Sequence, residues 1–286
     1  MSDRFGVVGL GRMAQALLFP LLDSGLIEPA SVRAVVATAA SAERLAAEHG
    51  LHVSTDPREA WAAPQVLLAV KPQQLEAVAA EAVALRRPPP PDASAAAAAD
   101  PRPAANDSPP QLLISVLAGV RLERLQRLFP GWQCVRAVPN TPCLVRQGLT
   151  GLAWGDAIDP ERQQQVRQLF GLVGAVHELP ESQLDAFLAL TSSGPAFVAL
   201  VAEALADGAV AAGLPRALAL ELTHRTLAGT AALLGERQLH PATLKDMVSS
   251  PAGTTIAGLR QLERAGLRSA LLEAVLAAAE RSRQLG

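Results

Sequence analysis

Apolar and polar positions follow two different rhythms along this chain. In the first half, short apolar runs alternate with helix-length amphipathic stretches. Strands are predicted over residues 4–9, 32–37, 64–70, 111–116 and 132–137, and helices over 12–25, 41–49 and 72–85. Apolar strands separated by helices are the pattern of βαβ units, so a mostly parallel sheet of the α/β class is predicted. From about residue 181 a helical period holds to residue 284. Helices are predicted over 181–191, 195–212, 216–234, 240–248, 254–264 and 267–284, with Gly213-Leu214-Pro215 and Gly266 as punctuation. The segment 195–212 is apolar nearly all round, with Glu203 and Asp207 its only charges. Such a helix must be buried on every side, and a helical domain of about 100 residues has few layers in which to bury it. A subunit interface is the expected second cover, which makes the chain a homodimer.

The change of rhythm divides the 286 residues into a sheet domain, 1–180, and an all-helical domain, 181–286, in line with about 100–200 residues per domain. The stretch 86–110 fits neither. It holds eight prolines and eight alanines without a periodic face, and reads as a disordered insertion. A net charge of −2 argues against a broad basic surface and hence against nucleic-acid binding. Charges are expected to break the apolar runs well before 18 residues, so no membrane span is expected. The opening residues lack the layout of a signal peptide, and Cys134 and Cys143 suit a reducing cytoplasm. Arginine far outnumbers lysine: Lys71 and Lys245 are the only lysines. Because an ammonium and a guanidinium are not interchangeable, Lys71 at a strand end is a candidate for function.

Gly9-Leu10-Gly11-Arg12-Met13-Ala14 follows the first strand and opens the first helix as G-x-G-x-x-A. The first glycine permits a tight turn and the second lets a pyrophosphate approach the backbone. Ala14 permits close helix–strand packing, and the helix N-terminus attracts the phosphates. An NAD site usually carries an acid at the end of the second strand, but Ala37-Thr38-Ala39-Ala40-Ser41 has none. NADPH is therefore the expected cofactor, with NADH the alternative. Thr38 and Ser41 are suited to a 2′-phosphate, and Arg44 to balancing its charge. Ala69-Val70-Lys71-Pro72 ends another strand at the same edge. Asn140, held between Pro139 and Pro142, offers a fixed amide to the nicotinamide or to the substrate-facing loop.

Residues 240–259, HPATLKDMVSSPAGTTIAGL, form the densest unusual segment. Ser249-Ser250-Pro251-Ala252-Gly253-Thr254-Thr255 ends one helix and starts the next. Four hydroxyls beside unpaired backbone N–H groups make a cradle for a small carboxylate. The five histidines are scattered without metal-ligand spacing, and no metal is expected.

GLGRMA (9–14), AVKPQ (69–73), AVPNTP (137–142), SSGPAF (192–197), EALADGAVAAGLPR (203–216) and the 240–259 segment together resemble the pyrroline-5-carboxylate reductase family. The resemblance runs end to end apart from 86–110. It implies a Rossmann-like domain followed by a helical dimerisation domain, in higher assemblies of dimers. The implied activity is reduction of 1-pyrroline-5-carboxylate to L-proline by NADPH or NADH. On that resemblance, Ser250, Gly253, Thr254 and Thr255 bind the substrate, Asn140 lies beside them, and the Thr255 hydroxyl serves the ring nitrogen as the catalytic group. Three positions depart from the family's usual pattern: Val138 for Met, Phe197 for Tyr and Ala252 for Gly.

Two other readings compete. A β-hydroxyacid dehydrogenase shares the two-domain plan but uses a lysine on its long interdomain helix, and 195–212 has none. A non-catalytic nucleotide-binding oligomer is the third.

Overall fold

The computed structural model describes residues 4–86 and 110–285. Most of the 86–110 insertion therefore lies outside the described residues. The elements in chain order are β1 (Phe5–Val8), α1 (Arg12–Asp23), β2 (Val32–Val35), α2 (Ala39–His49), β3 (His52–Ser54), α3 (Arg58–Trp61), β4 (Gln65–Leu68) and α4 (Leu75–Arg86). After the insertion come β5 (Leu112–Ser115), α5 (Leu122–Leu128), β6 (Gln133–Val138), β7 (Gly148–Trp154), α6 (Pro160–Gly171) and β8 (Gly174–Glu178). The remainder is helical: α7 (Leu184–Thr191), α8 (Gly194–Ala211), α9 (Arg216–Glu236), α10 (Pro241–Met247), α11 (Thr254–Arg264) and α12 (Leu267–Arg283).

Among the described residues the strands form one sheet in the order β3-β2-β1-β4-β5-β6-β7-β8. Neighbours from β3 to β6 run parallel, β7 runs antiparallel to β6, and β8 runs parallel to β7. This is the mostly parallel α/β sheet that the apolar runs predict. The sheet is covered on both sides, because successive strand residues feed different cores. Val7, Leu67, Ile114 and Val135 join one cluster with Leu17 and Leu21 of α1 and Leu169 and Phe170 of α6. Their neighbours Val8, Leu68, Leu113 and Cys134 join the other with Trp61, Leu75, Leu125 and Phe129. Alternate side chains of a strand point to opposite faces, so a strand buried on both faces reads as an unbroken apolar run.

The chain divides into two compact units, residues 1–192 with 280–286, and residues 193–279. The second is entirely helical and has almost no interior. Its buried apolar residues are Ala206, Ala219 and Ala279, all small. Val198, Leu200, Leu205, Leu222, Leu272 and Leu276 are exposed, Leu200 by 66%.

Charges do not break every apolar run well before 18 residues, contrary to expectation. Ala186 to Ala202 carry no charge at all, and the stretch Glu181–Ala211 is long and apolar enough to cross a membrane by length and composition. It is not one uninterrupted helix, since Ser192 and Ser193 separate α7 from α8. Only 22% of its apolar window is buried within the single chain.

A helical layer this apolar and this bare needs a second surface. The purified chain is expected to sediment as a dimer or a multiple of dimers, with more than about 2,000 Å² buried per pair, as obligate interfaces commonly are. Leu200→Glu on α8 is expected to break the assembly and lower helix content together. A stable wild-type monomer at micromolar concentration, with full helical circular dichroism, would contradict this.

Candidate functional site

β1 delivers the chain into the glycine-rich turn. Gly9 has φ +88°, and a Cβ there would lie 2.8 Å from the Ala69 carbonyl oxygen. Both the conformation and the space demand glycine. The Gly9 N–H donates to Val35 O at 3.0 Å and the Ala69 N–H to Val8 O at 2.8 Å, so the ends of β2, β1 and β4 are tied together at this turn. The chain leaves β3 and returns on the far side of β1 as β4. Such a switch point opens a crevice beyond the carboxyl ends of the strands, where ligands of open α/β sheets bind.

Gly11 is the N-cap of α1, with φ −79° and ψ −174°. No side chain caps this helix, and its first turn holds no acid. A Cβ at Gly11 would meet nothing within 4 Å, so the backbone is open to an approaching group. Leu10 and Ala14 are buried, Met13 packs against the first cluster, and Arg12 is exposed. The N–H groups of the first turn are thus left for a ligand, and the arrangement fits a dinucleotide pyrophosphate.

Thr38, at the end of β2, caps α2. Its hydroxyl oxygen accepts from the Ser41 N–H at 3.3 Å and its hydrogen goes to Ser41 Oγ at 2.8 Å. The pair sits at the surface beside the β1 turn. Arg44 is engaged elsewhere, pairing with Glu48 at 2.9 Å along the same helix. Ala69 and Val70 are half-buried, Lys71 is exposed, and Pro72 begins a short 3₁₀ turn. The structure therefore brings Gly9–Ala14, Thr38, Ser41 and Ala69–Pro72 to the carboxyl ends of three neighbouring strands.

Asn140 follows β6 and is 4% exposed. Its amide nitrogen donates to Thr191 O at 2.9 Å, and its oxygen accepts from the Leu149 N–H at 2.8 Å. The side chain is thereby a strut between β6, the start of β7 and the end of α7.

The 249–255 loop lies in the second unit and joins α10 to α11. Ser249 donates its hydroxyl to Lys245 O at 2.7 Å and finishes α10. The Gly253 N–H donates to Ser250 O at 3.0 Å, closing a tight turn. Ala252, inside it, has φ +57°. Any Cβ on Gly253 would overlap the Ser250 hydroxyl. Gly253 is the N-cap of α11 with φ −79° and ψ 172°, again with no side-chain cap and no acid in the first turn. Thr254 and Thr255 are the first two helical residues, the former exposed and the latter half-buried. A capping role for the Thr254 hydroxyl, the plain structural reading of that residue, is not what the helix uses. Other helices here are capped conventionally: α2 by Thr38, α6 by Asp159 and α10 by His240.

Burial disfavours the thiolate at both cysteines. Burial pushes the Cys134 thiol up to about 12 and also raises that of Cys143.

Arg136 is a functional-site candidate that no motif in the sequence marks. It lies in β6, 1% exposed, with Nη1 3.1 Å from Glu181 Oε1 and Nη2 3.2 Å from Asp185 Oδ1. The available signal was a single arginine inside an otherwise apolar strand, Cys134-Val135-Arg136-Ala137-Val138.

Residues 181–285 match the family model described as pyrroline-5-carboxylate reductase dimerisation, and residues 4–89 match one described as NADP oxidoreductase, coenzyme F420-dependent. The chain is 43% identical to the pyrroline-5-carboxylate reductase of Synechocystis over 287 aligned positions, covering 100% of this chain and 99% of that one. It is 37% identical to the enzyme of the same name from Methanosarcina acetivorans, covering 100% and 98%. Among solved structures, the Plasmodium falciparum pyrroline carboxylate reductase with NADP bound superposes with a TM-score of 0.84 at 26% identity, covering 99% of this chain and 98% of that one. With full-length identity of this order, the chain belongs to the pyrroline-5-carboxylate reductase family.

Proposed function

We propose that this chain reduces 1-pyrroline-5-carboxylate to L-proline with NADPH, as a cytoplasmic homodimer built from its helical half. The observation that carries the reading is the full-length likeness to the Synechocystis reductase. It is supported by two helices that open on uncapped glycines within the two segments expected to meet anions. Two free, buried cysteines accord with a reducing compartment. We assign residues 1–180 to the dinucleotide and 181–286 to substrate binding and dimerisation, with assembly beyond the dimer left to the family's habit.

The dinucleotide would be held by Gly9, Leu10, Gly11, Arg12, Met13 and Ala14 at the pyrophosphate, by Thr38 and Ser41 at the 2′-phosphate, and by Ala69, Val70, Lys71 and Pro72 along the strand edge. When bound, it supplies a hydride. The chain's own work is to hold and polarise the imine. The first-turn N–H groups of α11 at Thr254 and Thr255 hold the substrate carboxylate with help from Ser250, beside the Gly253 N-cap whose own N–H closes the turn onto Ser250 O. The Thr255 hydroxyl hydrogen-bonds the ring nitrogen. A protonated C=N bond accepts hydride far more readily than a neutral one, so keeping a proton on that nitrogen lowers the barrier. Asn140, buried and doubly bonded within its own unit, acts by holding the strand-end loop in shape.

The reading is tested by NADPH oxidation that begins only when pyrroline-5-carboxylate is added. A chain that binds NADPH and never turns over would favour the non-catalytic alternative. Thr255→Val is expected to lower kcat/KM by roughly 10–1,000-fold, near or below the usual range for acid–base groups, with NADPH affinity unchanged. Thr254→Val is expected to change the rate little, and an equal loss at both positions would overturn the assignment. Thr38→Asp keeps a good N-cap on α2 while placing an acid at the end of β2. The NADPH/NADH ratio of kcat/KM is expected to fall, and an unmoved ratio would misplace the 2′-phosphate. Ala252→Gly relieves a left-handed alanine worth about 1 kcal/mol. It is expected to raise Tm by about 2 °C, read by thermal melting.

A further inference from the structure

Residues 280–285 belong to the same unit as the sheet. Within it, Ser282 is 2% exposed and donates its hydroxyl to Asp185 Oδ1 at 2.7 Å. That same oxygen takes Arg136 Nη2, while Arg136 Nη1 reaches Glu181 Oε1. Glu181 Oε1 also accepts from the Leu122 N–H at 2.7 Å. Arg136 Nε is buried with no partner. Burying a guanidinium with the Asp185 carboxylate, and partly burying that of Glu181, carries a desolvation cost that an apolar cluster of equal volume avoids, so stability alone is a poor reason for this arrangement. Setting a register is a better one.

The elements it registers are identifiable. Two residues beyond Arg136, β6 ends and the Pro139-Asn140 turn begins. α7 is bonded to this segment at both ends: Asp185 near its start through Arg136, and Thr191 O at its finish through the Asn140 amide. Ser192 then donates to Pro139 O at 3.1 Å. Beside Ser282, Leu285 sits on Gly119, which follows β5 with φ +77°, and a Cβ there would lie 2.6 Å from Leu285 Cβ. The end of α12 therefore bears on the segments that follow β5 and β6, beside the β1/β4 crevice.

We propose that Ser282 is a positioning residue for the cofactor edge of this reductase. Through Asp185 and Arg136 it holds the Pro139-Asn140 turn, and with Leu285 seated on Gly119 it sets the carboxyl ends of β5 and β6. This rests on the reductase reading above.

Ser282→Ala and Leu285→Ala test it in the full-length assembled protein. NADPH Kd is measured by fluorescence titration without substrate, KM for each substrate at saturation of the other, and folding by thermal melting. Both variants are expected to raise NADPH Kd and KM about 3–10-fold, leaving kcat and the KM for pyrroline-5-carboxylate within twofold. A purely structural role would instead reduce the active fraction, lowering kcat with both KM values unchanged, and that result overturns the proposal. An NADPH Kd within twofold of wild type in folded variants overturns it equally. Where one variant fails to fold, the other carries the test. A wild-type chain that binds NADPH but leaves pyrroline-5-carboxylate untouched defeats the reductase reading alone, because the titrations still decide what Ser282 does.

Discussion

The helical unit has almost no interior of its own, and much of the molecule's behaviour follows from that. Ordering a residue costs roughly 1–2 kcal/mol of backbone entropy, and burial of apolar surface has to offset it. In residues 193–279 the buried apolar side chains are three alanines, while leucines along α8, α9 and α12 stay bare. These helices gain their stabilising area only by covering one another across copies of the chain. Folding of this half is then inseparable from association, and its stability depends on protein concentration. The loop assigned to the substrate carboxylate belongs to this half, so the proposed assignment ties substrate recognition to assembly as well.

The proposed division of labour uses one device twice. Gly11 and Gly253 occupy the same conformation before their helices, φ −79° with ψ near 180°, and neither helix is capped by a side chain. An ordinary N-cap would satisfy one or two first-turn N–H groups and place a side chain where a ligand should sit. Leaving both helices with a glycine N-cap forgoes roughly a few tenths of a kcal/mol each, a loss that an anion can offset when it arrives. The glycines differ in how they are constrained. Gly11 faces open space, whereas Gly253 is wedged against Ser250. The second loop is accordingly the less tolerant of substitution.

Much of this was legible in the sequence, for physical reasons that also explain the gaps. The parallel strands read clearly because both their faces are buried, and the six C-terminal helices because their breakers, Gly213-Leu214-Pro215 and Gly266, sit at helix ends. The short edge strand β3 and the β7–β8 pair have no such signal. β3 has three residues, and β8, Gly174–Glu178, is largely exposed, so neither shows a long apolar run. Charge patterning misled at 186–202, where serines, glycine and proline break the helix without adding any charge. The glycine motif announced itself because its requirements are local. The role of Asn140 as a strut did not, since its partners Leu149 and Thr191 lie 9 and 51 residues away. Arg136 was hidden for the same reason, its partners being 45 and 49 residues distant.

The chemistry assigned to the 249–255 loop is notable for what its side chains are: hydroxyls, a methyl group, a proline ring and a glycine, none of which titrates near neutral pH. A threonine hydroxyl can orient a proton but not hold one in reserve. In the proposed reaction the proton on nitrogen therefore originates with the substrate or with water, and the protein selects the protonated imine rather than creating it. Preorganisation does the catalytic work, with a fixed helix N-terminus for the carboxylate and one hydroxyl for the nitrogen, and such orientation can contribute several kcal/mol to a barrier. A site of this kind tolerates the absence of every tyrosine and the burial of both cysteines. Within the sheet unit the same reliance on fixed geometry shows in the buried links from Asn140 to Thr191 and from Arg136 to Asp185.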